Sequence, residues 1–463
     1  MKEEKKLSRS SLLCLAGCGV FYLFFCIRYG VVLGSDSRGY IEMISAREPV
    51  YPLLLALFRG IFGEGIYLNA VIVFQSLLAA FAAWFSVERL WKRFCRMYLF
   101  RWGMYAVHAA VALLCQYAAE RGSVYSCNIL TEGITMSLWI IFMTLLIEAV
   151  LDWNKRKLLI LLLLLTLMVE TRKQMAVGYP ALGAAVFFGR MGKDKGKAYF
   201  AKLVMILGGM ILSLVLALGC TRLYNLVLRG SFAQNTRDMN LVLTTSLYIA
   251  DPEDEALIPE PAVQELFRRT MKILEESGSN IDNAPAGLKG LEEHYEEHFD
   301  VITVKTTGPL FVDYAVERGF APGMEAEAEA DRMSGVIVSS LLKDNLGAYL
   351  KIYVASFLNG ILNTVAKRGV LPDLLGVLLV LAELILAILC LKKEKSREAG
   401  MAGIFVLLGM FANIGVAAAL IFCQARYMMY NMPLFYMAGI WLLDSYIERF
   451  RKKAIEGISR EEA

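Results

Sequence analysis

The chain has 463 residues, 57% hydrophobic and 20% charged, with a net charge of +4 and a mean hydropathy of +0.51. Soluble domains lie nearer about 45–50% apolar and about 25% charged, and the excess here falls in blocks long enough to cross a bilayer as helices. That composition excludes a soluble enzyme, a secreted disulfide scaffold and a disordered chain, and the small net charge argues against nucleic acid as a partner.

The apolar blocks run at 11–33, 68–88, 102–119, 129–151, 157–171, 174–189, 200–224, 371–391, 400–421 and 428–446. The first follows Lys2, Lys5, Lys6 and Arg9 and is too long for a cleaved signal core, so it reads as a signal anchor. Leu15-Ala16-Gly17-Cys18 has the form of a lipoprotein box but has too short an apolar core before it. The fifth and sixth blocks are short and predict a tight hairpin, with Glu170-Thr171-Arg172-Lys173-Gln174 at its tip. Nearly all of the nine cysteines lie in or beside apolar blocks, with no Cys-x-x-Cys pair, as expected of thiols used as small hydrophobes.

Lysine and arginine alternate along the connections and set the orientation. The N-terminus, Arg89–Arg101, Lys155–Lys157, Arg190–Lys197, Lys392–Arg397 and Arg449–Lys453 are basic and are assigned to the cytoplasm. The connections 34–67, 120–128, the hairpin tip, 225–345 and Gln424–Arg426 then face outward. The parity closes if the amphipathic segment 346–368 lies on the outer interface. The expected fold is therefore an all-α integral membrane protein of about ten transmembrane helices with one helical extracytoplasmic domain. Residues 1–224 form an N-terminal transmembrane module with its first outer loop at 34–67. Residues 225–345 form an acidic helical domain with amphipathic runs at Val263–Phe267 and Met324–Leu342, and 346–463 an interfacial helix plus the last spans. Both termini are placed in the cytoplasm, and the charge alternation suits a bacterial plasma membrane.

No Walker A loop, no Gly-x-Gly-x-x-Gly after a strand and no long cytoplasmic connection is present, so an ATP-driven pump is not indicated. Chemistry is expected on the outer side, where a transferase needs a donor that arrives lipid-linked. The outward ionisable residues near span ends are Asp36, Glu132, Arg172, Lys173 and Arg426, with Tyr427 beside the last. A carboxylate there can act as general base, and partial burial is expected to raise its pKa. Arginines bind phosphate with a fork of donors. Taken singly, such cations more often snorkel to lipid headgroups. His294 and His298, four apart among glutamates, form a possible metal pair without a third ligand, or simply an acidic exposed helix. His108 sits inside the third block and reads as a hydrogen-bonded core residue.

Ser35-Asp36-Ser37-Arg38-Gly39-Tyr40, followed by Arg47-Glu48-Pro49-Val50-Tyr51-Pro52-Leu53-Leu54, resembles the first outer loop of GT-C-type polytopic glycosyltransferases. These are the polyprenyl- or dolichyl-phosphate-sugar-dependent enzymes, such as protein mannosyltransferases and aminoarabinose transferases. Leu130-Thr131-Glu132, Val169-Glu170-Thr171-Arg172 and Arg426-Tyr427 with Pro433 are similar to their later motifs. The resemblance implies Asp36 as the catalytic carboxylate and Tyr40, Glu132, Arg172, Lys173, Arg426 and Tyr427 as substrate-binding residues. It implies a lipid-linked sugar donor and an extracytoplasmic glycan, lipid or protein acceptor. Relatives often carry two adjacent acids in the first loop; here the next acid is Glu42, which leaves the use of a divalent cation open. Two other readings remain: a polysaccharide polymerase or ligase relying on Arg229, Arg237 or Arg318, and a transporter or flippase of lipid-linked glycans.

Overall fold

The computed structural model describes residues 8–365 and 369–461, with residue 365 and those from 448 onward as helical backbone only. Lys2, Lys5 and Lys6, the side chains of Arg449, Arg451, Lys452 and Lys453, and the 366–368 end of the amphipathic segment lie outside the described residues. Among the described residues the chain is helical, with two isolated backbone bridges and no strand.

The first half comprises α1 (Arg9–Tyr29), α2 (Ser37–Ile41), α3 (Val50–Phe62), α4 (Tyr67–Phe94), α5 (Tyr98–Leu114), α6 (Glu132–Asp152), α7 (Lys155–Val169), α8 (Gly178–Arg190) and α9 (Lys197–Arg229). A polar region follows, with α10 (Asp238–Tyr248), α11 (Pro261–Glu276), α12 (Leu288–Asp300), α13 (Gly308–Glu317) and α14 (Met324–Leu341). The chain closes with α15 (Leu346–Val365), α16 (Val370–Leu391), α17 (Arg397–Leu420), α18 (Ala425–Met428) and α19 (Met432–Glu461).

Among the described residues, seven helical stretches are long and apolar enough to cross a membrane: α1, α4, α5 with its extension to Tyr117, α6, α9, α16, and α17 with the turn from Glu394. The protein is thus a helical membrane protein. Of these, α6 is the most enclosed, while α1, α9 and α16 show most of their apolar surface. At 15 and 13 residues, α7 and α8 span only about 20 Å each and make the expected hairpin. The largest apolar core gathers α4, α6, α7, α8, α17 and α19 around Trp139, Phe142, Phe405 and Trp441. His108 is buried, with its Nε2 3.0 Å from Ser86 Oγ.

The polar region has its own core, built on Phe267, Tyr295, Phe311 and Met333. The amphipathic runs read from the sequence are α11 and α14. The core does not stop at residue 345. Ile352 and Ala355 of α15 and Phe422 beyond α17 belong to it. On the other side α15 anchors to the bundle, where Asn363 Nδ2 donates to Cys423 O at 2.8 Å and Ser356 Oγ accepts from Cys423 N at 3.0 Å. This helix is therefore a shared wall between the two cores. His294 and His298 stack at 4.1 Å between ring centroids, and His294 Nδ1 lies 2.8 Å from Tyr248 OH.

Candidate functional site

Four separate stretches of chain converge at one end of the bundle, each for a local reason. The loop after α1 is pinned to the segment before α6: Val32 N donates to Cys127 O at 3.0 Å, Ile129 N to Val32 O at 3.0 Å, and Ser37 Oγ to Ile129 O at 2.9 Å. This brings Asp36 beside the start of α6. Gln75 of α4 donates to Ser126 O and Asn128 O, both at 3.0 Å, and accepts from Tyr51 OH at 2.8 Å. Gly133 makes that approach possible, since a Cβ there would lie 2.6 Å from the Gln75 amide. Val50 N donates to Glu170 O at 3.0 Å and ties the hairpin tip to the first loop. Gln174 Nε2 donates to Asn413 Oδ1 at 3.0 Å, and Asn413 Nδ2 donates to Tyr427 O at 3.0 Å, which ties the tip to the segment before α19.

The charges meet in a row. Arg47 Nη2 lies 2.7 Å from Asp36 Oδ1. Arg426 Nη2 lies 3.5 Å from Asp36 Oδ2, and its Nε lies 3.7 Å from Glu132 Oε1. Arg172 Nη1 lies 2.8 Å from Glu132 Oε1 and donates to Thr131 Oγ1 at 2.9 Å. Tyr427 sits beneath both arginines, at 4.7 Å from the Arg172 guanidinium and 5.0 Å from that of Arg426. Tyr40 supports Arg47 at 4.7 Å and packs edge-on against Tyr51. Lys173 is paired with Asp238 of the polar domain and lies 3.7 Å from Glu48.

A cavity of about 720 Å³ opens above this row and is roofed by the polar domain. Asp36, Tyr40, Arg172, Lys173, Arg426 and Tyr427 line it. Glu132 lies behind the wall instead, 1% exposed, as a counter-ion to Arg172 and Arg426. Arg47, Glu48 and Gln174 also line the cavity and were not singled out from the sequence as site residues. The signal for Arg47 was its place in an outward loop, beside the Glu48-Pro49 that starts α3.

From the polar domain come Asp300, Thr303, Val304 and Asp313, set around a π-helical stretch, Val301–Thr307. Asn240 Nδ2 donates to Thr303 O at 3.3 Å, and Thr307 Oγ1 donates to Asn240 Oδ1 at 2.7 Å, so α10 holds this wider turn in place. Val416, Ala417 and Leu420 of α17 make an apolar side wall. Of the three arginines that a polymerase would use, Arg237 lines the cavity and pairs with Glu327 at 2.9 Å. Arg229 holds Met43 O at the edge of the first loop, and Arg318 lies 3.6 Å from Glu329.

Burial acts to raise the Asp36 pKa, but the guanidiniums of Arg47, Arg426 and Arg172 outweigh it and hold the carboxyl below its ordinary range. This reverses the direction expected from the sequence. Asp36 is ionised at neutral pH and therefore able to accept a proton, but each of its oxygens faces a cation. Glu42 turns away to Arg38, 2.6 Å off and exposed, so it does not form a pair with Asp36. Among the described residues no group of three His, Cys, Asp or Glu side chains gathers as metal ligands. A carboxylate ringed by arginines does not fit a divalent cation.

No protein-family model matches the chain, and no curated protein matches it.

Proposed function

We propose that the protein is a membrane glycosyltransferase moving a sugar from a polyprenyl-phosphate-linked donor to an acceptor on the outer face, a cell-envelope glycan, lipid or protein. The observation that carries this reading is the single cavity bordered by Asp36, Arg172 and Arg426, from three distant stretches of chain, with an apolar wall beside its cationic row. A lipid-linked phosphate needs both. In the step proposed, an acceptor hydroxyl attacks the anomeric carbon, and its proton passes to Asp36. The bond from that carbon to the phosphate oxygen breaks, and the electron pair leaves with the phosphate, whose charge the arginines stabilise. Tyr40 and Tyr427 hold the guanidiniums in place, and Glu132 anchors Arg172 from behind.

The topology that accompanies this reading has ten spans, both termini in the cytoplasm of a bacterial cell and the polar domain outside. The test is transfer from polyprenyl-phosphate sugars by the purified protein, with Asp36→Asn as the control. A folded Asp36→Asn protein with full transfer would defeat the assignment. Loss of activity on Arg237→Ala with Asp36→Asn still active would favour the polymerase reading, since Arg237 shares the cavity wall.

A further inference from the structure

The row Arg47–Asp36–Arg426–Glu132–Arg172 holds three guanidiniums against two carboxylates. One positive charge is left over within it, and the three arginines are not equally committed. Arg172 is held by Glu132, Thr131 and Gln174 and rests on Tyr427. Arg47 and Arg426 each carry a buried Nε with no hydrogen-bond partner, and both line the cavity. Arg47 has one close ionic contact, to Asp36, plus its stack on Tyr40 and a long 3.5 Å approach to the Tyr40 hydroxyl. In this arrangement both oxygens of Asp36 face guanidiniums. One acceptor position on each oxygen is thus turned to a cation, which lowers the carboxylate's basicity toward an acceptor hydroxyl.

We infer, on the basis of the transferase reading, that Arg47 is a positioning residue exchanged between two anions: it pairs with Asp36 as seen here and crosses to the donor phosphate when that group settles against Arg426. A phosphate oxyanion offers the same forked acceptor as a carboxylate, and both arginines line the cavity it would enter. Once Arg47 has crossed, Asp36 is left free to take the acceptor's proton. Phosphate binding and exposure of the base are then one event, which sets the order of binding as donor first. Arg172 stays with Glu132 and adds to the positive field on the phosphate from the cavity wall.

The experiment measures binding of farnesyl monophosphate, and of inorganic phosphate, to the full-length protein in lipid nanodiscs by calorimetry. Asp36→Asn frees Arg47 and is expected to tighten farnesyl phosphate by about tenfold, while Arg47→Gln weakens it by about tenfold. In the Arg47→Gln background, Asp36→Asn is expected to change affinity less than about twofold. Arg47→Lys is expected to restore part of the response, and it carries the test if the glutamine variant fails to fold. An undiminished effect of Asp36→Asn without Arg47 overturns the exchange and leaves the transferase reading standing. Failure of the unaltered protein to bind farnesyl phosphate more tightly than inorganic phosphate overturns the lipid-phosphate reading, and the exchange with it.

Discussion

Glu88 and Glu132 sit at opposite ends of the bundle, both buried and both facing arginine, yet the two clusters are built differently. Near the C-terminal end of α4, Glu88 receives Arg101 Nε at 2.7 Å, Ser11 Oγ at 2.9 Å, Tyr105 OH at 3.0 Å and Lys92 at 3.2 Å. Arg101 in turn is packed among Trp91, Tyr98 and Trp102. Glu148, at the same end, holds Arg89 and Lys157, each at 2.6 Å. At the other end Arg426 is shared between two carboxylates at 3.5 and 3.7 Å and holds neither closely. Glu88 has enough donors around it to join α1, α4 and α5. The Asp36 row has longer contacts at Arg426 and borders the cavity, which suits the ligand proposed above.

The comparison breaks most visibly at Asp36. Asp36→Asn is expected to lower transfer by about 10²–10⁴-fold while the melting temperature stays nearly unchanged, read by radiolabelled product and by thermal unfolding in detergent. Glu88→Gln should do the converse. Removing one partner of a buried ion pair costs about 3–5 kcal/mol, so the folded yield and melting temperature fall while turnover per folded molecule holds. A stable Glu88→Gln protein with lost turnover would erase the contrast.

Arg426→Gln is expected to weaken binding of a prenyl phosphate by about ten- to a hundredfold, as for loss of a charged hydrogen bond, with little change in stability. Smallest is the effect of pH on the clasp between polar domain and first loop, where Ser45, Thr236 and Arg237 surround the Glu327 carboxylate. Burial acts to raise the Glu327 pKa, but those partners hold it below its usual 4.5. The clasp's contribution is thus complete above about pH 4.5 and fades as pH falls through the lower folded value. It is on the order of 1 kcal/mol. Protection factors at 43–47 and 236–240, taken relative to the intrinsic exchange rate at each pH, should fall at acid pH in the parent protein and respond less in Glu327→Gln.

The charge alternation of the connections puts Asp36, Glu132, Arg172 and Arg426 on one face, and the apolar blocks mark the principal helices. Both are properties of solvent and length, which a linear chain displays directly. The direction of the Asp36 shift was not legible, because it depends on Arg47, whose proximity comes from the turn through Met43 and Ile44. The place of Glu132 behind the wall depends on Gln75 lying against Gly133, a contact between two helices far apart in sequence. The role of α15 as a shared wall was hidden because an amphipathic helix shows that one face is buried, not what buries it.

Asp300 and Asp313 stand on either side of the π-helical stretch Val301–Thr307, and both reach the cavity. A π-helical turn accommodates one residue more than an α-helical turn. Deleting a single residue from that stretch would let the chain rewind as α-helix and turn α13 by about 100°, carrying Asp313 and Val312 off the wall while every lining side chain kept its identity. The cavity roof is therefore written in chain length as much as in composition, and related chains that differ by one residue here would present a different surface to the cavity.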